Sequence, residues 1–139
     1  MVLRRYLFHS LLKRVLFRGA FSIGYFFEDA ETNTVLGEAV ADAAAWYARA
    51  DWAGISSTPG TNNVIDHYIY EGLITGGEQF LVKYGVPLND GTYIDLYSIS
   101  WPGAFCDPQL MEQFKQTDSR RWFFELLKDI GAKTYGTEI

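Results

Sequence analysis

The chain has 139 residues, 12 Lys+Arg against 17 Asp+Glu for a formal charge of −5, and 48% hydrophobic residues. Length and apolar content suit one folded domain over residues 1–139 and exclude intrinsic disorder. The acidic balance excludes a broad nucleic-acid-binding face; a single cysteine, Cys106, with two histidines allows neither an internal disulfide nor a Cys/His metal set.

Met1 to Phe17 is basic and apolar. Lys13 and Arg14 break the apolar run and no small-residue cleavage site follows, so the segment does not read as a secretory signal. It also falls short of the ~20 apolar residues of a spanning helix. Leu3, Leu7, Leu11 and Val15 recur at helical spacing, with Phe8 and Leu12 adding bulk. The pattern predicts an amphipathic helix packed on a core rather than on a membrane, in a cytoplasmic protein.

Arg18 to Tyr25 alternates small or polar residues with Phe21, Ile23 and Tyr25, the period of a half-buried strand. Glu28 to Asn33 is a polar turn, and Thr34-Val35-Leu36 reads as the returning strand of a hairpin. The carboxylates Glu28, Asp29 and Glu31 fit a solvated hairpin tip better than a metal site. Gly37 opens a helix from Glu38 to Ala50, with Val40, Ala43, Ala44 and Tyr47 predicted on its buried stripe and Glu38 favourable in its first turn. Trp52 to Ser57 reads as a strand, Thr58-Pro59-Gly60 as a turn, and Asn62 or Asn63 as the cap of a helix through Glu71. Phe80 to Pro87 and Thr92 to Trp101 are β-rich and flank Leu88-Asn89-Asp90-Gly91, where Asp-Gly signals a hairpin. Asp107 caps a helix with Pro108 at its first position, and a last helix is predicted over about Asp118 to Ile130. The fold class is α+β, an antiparallel or mixed sheet with helices packed on it.

No stand-alone catalytic set emerges. Glu38 and Asp42, four apart, suit an exposed polar helix face; His9 and His67 lie in separate helices without a carboxylate at ligand spacing; Cys106 has no nearby base. Neither Gly19…Gly24 nor Gly76-Gly77 makes a phosphate-cradling loop, and no G-x-S-x-G elbow occurs. The tyrosines Tyr68, Tyr70, Tyr93 and Tyr97 offer an aromatic surface for a small ligand.

The run Arg18-Gly19-Ala20-Phe21-Ser22-Ile23-Gly24, the hairpin, and Leu36-Gly37-Glu38-Ala39-Val40-Ala41-Asp42-Ala43-Ala44 resemble the second half of a class III nucleotide cyclase domain. In that family an R-x-G-I-x-x-G strand leads through a hairpin to a G-D-T-V-N-x-A-x-R helix. The later hairpin with Val86-Pro87-Leu88, and Tyr97…Trp101-Pro102, are similar to bacterial cyclase-like proteins of unassigned activity; order and spacing fit over about Tyr6 to Trp101. The resemblance implies a ferredoxin-like, cyclase-like order of elements with the first strand missing. Two metal-binding aspartates belong to the portion preceding the helix that matches Tyr6 to Phe17, so the chain reads as N-terminally incomplete. The family's transition-state Asn and Arg fall on Ala41 and Ala45, which neither donate hydrogen bonds nor balance charge. Thr34 stands at the base-recognition position, and Thr34 and Glu38 are the candidate nucleotide-binding residues.

These correspondences imply a degenerate or partial cyclase-like domain, not catalytic as this chain, with an assembly or regulatory role and no cofactor. Magnesium or manganese belongs only to a longer, active product. The alternatives are a truncated fragment of an active cyclase, using helix residues such as Glu38 or Asp42, and a nucleotide-binding module. An absent internal strand would leave an unpaired sheet edge, so a homodimer, or an N-terminal helix rearranged over the gap, is expected.

Overall fold

The computed structural model describes residues 2–74, 80–101, 103, 107–116, 121 and 125. The chain divides into two compact units, Met1–Leu16 with Trp101–Ile139, and Phe17–Ser100.

In the first unit, α1 (Val2–Leu12) and α4 (Pro108–Lys115) share a core of Phe8, Leu11, Leu110 and Phe114, against which Leu12 and Trp101 pack. Asp107 caps α4 as expected, accepting from the N–H groups of Gln109 and Leu110, with Pro108 at the first helical position. Helix α1 is shorter than its apolar pattern predicts. Arg14 turns left-handed (φ 61°), the Arg14 N–H bonds Leu11 O and the Val15 N–H bonds Ser10 O. Those paired bonds are a Schellman stop, which leaves Val15 exposed beyond the helix. The helix predicted over Asp118 to Ile130, and Cys106, lie outside the described residues.

The second unit is α+β, a mixed sheet carrying helices. Its strands are β1 (Gly19–Phe21), β4 (Ile55–Ser57), β5 (Leu81–Pro87) and β6 (Tyr93–Ile99), in the order β1-β4-β6-β5. β1 and β4 are parallel, whereas β4–β6 and β5–β6 are antiparallel. A separate two-stranded hairpin joins β2 (Phe27–Asp29) to β3 (Thr34–Leu36). This corrects the expectation that Arg18 to Tyr25 forms one arm of that hairpin. Regular pairing stops at Phe21 because the following backbone is claimed elsewhere: the Ile23 N–H bonds the side chain of Thr61. β4 is likewise shorter than the predicted Trp52–Ser57 strand.

The helices of this unit are α2 (Glu38–Tyr47) and α3 (Pro59–Tyr70). On α2 the buried stripe is rotated from the predicted one. The predicted Val40 and Ala43 are half-buried, but Ala39, Trp46 and, past the helix end, Ala50 also face inward while Ala44 and Tyr47 are exposed, because the large Trp46 ring takes the core position. Trp46 and Ala50 pack on Val86 and Leu96, with Ala20 and Ile94 beside them. Ala20, Ser56, Ser98 and Val82 are successive register partners, so these side chains share one face of the sheet. Three small residues in that row let α2 sit close. α3 starts four residues earlier than expected: Thr58, not Asn62 or Asn63, is its cap, accepting from the Thr61 N–H, with Pro59 just inside. The β5–β6 turn follows its sequence, Gly91 taking φ 81° and its N–H bonding Leu88 O. No helix among the described residues is long and apolar enough to cross a membrane.

Candidate functional site

The residues singled out by the resemblance surround the junction of β3 and α2. Thr34 opens β3 opposite Asp29. Its hydroxyl lies 3.0 Å from the Thr32 hydroxyl and 3.4 Å from Thr32 O, which ties it to the hairpin turn. Asp29 completes that turn, accepting from the Thr32 hydroxyl at 2.7 Å and the Glu31 N–H at 3.0 Å. These bonds hold the Asp29 carboxyl below its ordinary pKa, the hydroxyl contributing most. Glu38 is exposed at the head of α2, and no hydrogen bond joins it to Thr34. Gly37 makes the junction: at φ 143° its backbone passes so close to Tyr25 and Phe26 that a Cβ would lie 2.5 Å from Tyr25 O.

Ala41 and Ala45 both lie on α2 and are exposed. Two methyl groups therefore stand where the resemblance places an amide and a guanidinium. Asp42, one residue along, is already engaged: it accepts from the Ser22 hydroxyl at 3.0 Å. Ser22 also meets the Thr61 hydroxyl at 3.4 Å, whose oxygen accepts the Ile23 N–H at 2.8 Å. Sequence reading did not single out Ser22 or Thr61; their common location, where β1 ends and α3 begins, becomes visible only with the parallel pairing of β1 and β4.

A second polar cluster, also missed, joins α3 to β5 and β6. Asp66 accepts from the Tyr97 hydroxyl (2.7 Å), the Asn62 amide (3.3 Å) and the Lys83 ammonium (2.9 Å to the nearer oxygen). β4 pairs with β6 only at Ser56–Ser98, so the neighbouring Tyr97 N–H is taken by Asn62 Oδ1 at 3.0 Å. Lys83, then Tyr97, hold the Asp66 carboxyl below its usual range, and Asp66 in turn raises Lys83. Burial, then the bond to Asp66, raises Tyr97. A protonated tyrosine and a protonated lysine both donating to one carboxylate make a clamp, not an acid–base pair. The spacing Asn62–Asp66 on one helical face was the available signal. Of the four tyrosines, only Tyr97 uses its hydroxyl in a hydrogen bond among the described residues, and no ring contact there links it to Tyr68, Tyr70 or Tyr93.

No group of three or more His, Cys, Asp or Glu among the described residues can hold a metal ion. His9 and His67 sit on α1 and α3, in different units. No family model matches the chain, and neither a curated protein nor a solved structure does.

Proposed function

We propose that the chain is a nucleotide-cyclase-like domain that does not catalyse and serves assembly, as a homodimer. The observation that carries this reading is helix α2: Ala41 and Ala45 present only methyl groups to solvent at the positions the resemblance gives to transition-state donors. Losing one such donor costs on the order of 10²–10³ in rate, and both are replaced here. The sequence of elements, a strand and a hairpin before α2 and a later hairpin after α3, is consistent with the same reading, although β1 pairs with β4 rather than with the hairpin. An exposed hairpin supports the assembly role, with Tyr25 90%, Phe26 63% and Phe27 64% accessible.

The test is direct. The purified chain is incubated with ATP or GTP and manganese, and the mixture is resolved for cyclic nucleotides. No cyclic product is expected. A cyclic nucleotide formed by this chain, and lost on disrupting α2, would refute the reading in favour of an active enzyme.

A further inference from the structure

We infer that the partner is a second copy of this chain, joined by antiparallel pairing of β1 with its own counterpart across a two-fold axis at Ala20. The inference rests on the assembly reading above and names its contact. Gly19 and Phe21 turn their main-chain groups toward β4, the Gly19 N–H to Gly54 O and the Phe21 carbonyl to the Thr58 N–H. By the alternation of a parallel ladder, the N–H and C=O of Ala20 point the other way, to the open edge. Arg18 and Ser22, two residues to either side, share that orientation and make no main-chain hydrogen bond among the described residues. The chain flanking β1 is exposed at Arg18 and from Ile23 to Glu28.

Antiparallel pairing about Ala20 satisfies this edge with itself. Ala20 meets Ala20 of the partner, and Arg18 meets Ser22 of the partner on both sides of the axis, giving hydrogen-bonded pairs with Cα atoms about 5.5 Å apart. What selects a second copy over a foreign strand is charge. On the face under α2, Ser22 donates to Asp42, while Arg18 stands at the far end of the strand over the Tyr47 ring. The two-fold operation sets each Arg18 across from the partner's Ser22 and the Asp42 that Ser22 holds, twice; its guanidinium reaches that carboxylate by giving up a long 3.3 Å bond to Ala50 O of its own chain. On the opposite face, the same register brings exposed Ile23 against Phe17 of the other copy.

Sedimentation equilibrium of the whole chain is the test, with Arg18→Asp and Asp42→Arg as variants. The wild type is expected to dimerise; each variant alone weakens association at least about tenfold, and an equimolar mixture of the two restores it, because only the mixed pair opposes unlike charges. Amide exchange of the unmodified chain reads the contact independently of either variant's folding: the Ala20 and Ser22 amides gain protection as concentration rises. A wild type monomeric at roughly 100 µM overturns the inference and leaves a foreign strand as the occupant. So does a dimer with unprotected Ala20 and Ser22 amides, or a mixture of folded variants that fails to associate. None of these results produces a cyclic nucleotide, so failure of the contact and failure of the non-catalytic reading are told apart.

Discussion

The Asp66 clamp tests how α3 is held to the sheet. Truncating Asp66 to Ala removes three partners of unequal worth. The Tyr97 hydroxyl is half-buried and donates to a charged acceptor at 2.7 Å, which places its contribution at about 1.5 kcal/mol. The Lys83 pair is nearly as short at 2.9 Å, but the two side chains are 49% and 43% exposed, so about 0.5 kcal/mol is the appropriate scale. Asn62 at 3.3 Å adds little and keeps its bond to the Tyr97 N–H. Asp66→Ala is therefore expected to cost about 2 kcal/mol in urea unfolding. Double-mutant cycles with Tyr97→Phe and Lys83→Ala separate the partners: coupling of about 1.5 kcal/mol for tyrosine, and about a third of that for lysine, with only the lysine term vanishing in about 1 M salt. A lysine coupling larger than the tyrosine coupling, or one that survives high salt, would refute the argument from exposure.

Three further outcomes follow from the same structure. The Ser56 hydroxyl is fully buried without a hydrogen-bond partner among the described residues, so Ser56→Ala is expected to raise stability by about 1 kcal/mol in the same assay, against the usual sign of a core substitution. Gly37→Ala drives a methyl group into the Tyr25 carbonyl and Phe26 at positive φ; a loss of roughly 1–3 kcal/mol is expected, read as lost exchange protection in the first turns of α2. The carboxyls of Asp29, Asp66 and Asp90 all titrate below their ordinary value of 3.8 in the folded chain. The sign follows: folding favours their ionised forms, so the stability they add is full above the unfolded value and lost as pH falls through the folded ones. The urea midpoint should hold down to about pH 5 and drop below it, and a midpoint that rises on acidification would contradict the hydrogen bonds described.

Local chemistry was legible where one residue type admits one conformation. Asp107-Pro108 and Asp90-Gly91 did what capping and turn rules demand, because the constraint lies within a few bonds. The end of α1 was not legible, since its left-handed stop falls on Arg14 rather than on a glycine or asparagine. The stripe of α2 was misjudged because an alanine-rich helix offers several nearly equivalent faces, and one tryptophan decides among them. The partner of β1 is a tertiary fact: nothing within Arg18 to Tyr25 distinguishes pairing with Thr34–Leu36 from pairing with Ile55–Ser57. The Ser22–Asp42–Thr61 and Asp66 clusters depended on that choice and on the start of α3, and were hidden with them.

Electrostatics at the helix starts weigh assembly against polyphosphate binding. An anion is ordinarily welcomed where a helix begins beside the ends of parallel strands, because free N–H groups and the helix dipole converge there. Here α3 begins beside the ends of β1 and β4, yet of its first-turn N–H groups only that of Gly60 is left open. Pro59 has no N–H, the Thr61 N–H is taken by the Thr58 hydroxyl, and the Asn62 N–H by the Thr58 carbonyl. A carboxylate also stands against it, Asp42 Oδ2 lying 3.9 Å from where a Cβ on Gly60 would be. The other start in this unit, that of α2, carries Glu38. Both sites where a triphosphate would gain from a dipole thus present negative charge, and bringing a phosphate beside an unneutralised carboxylate is repulsive. In the dimer proposed above, the same Asp42 that would repel a nucleotide would attract the Arg18 of a second copy. One carboxylate thus argues against the ligand and for the partner.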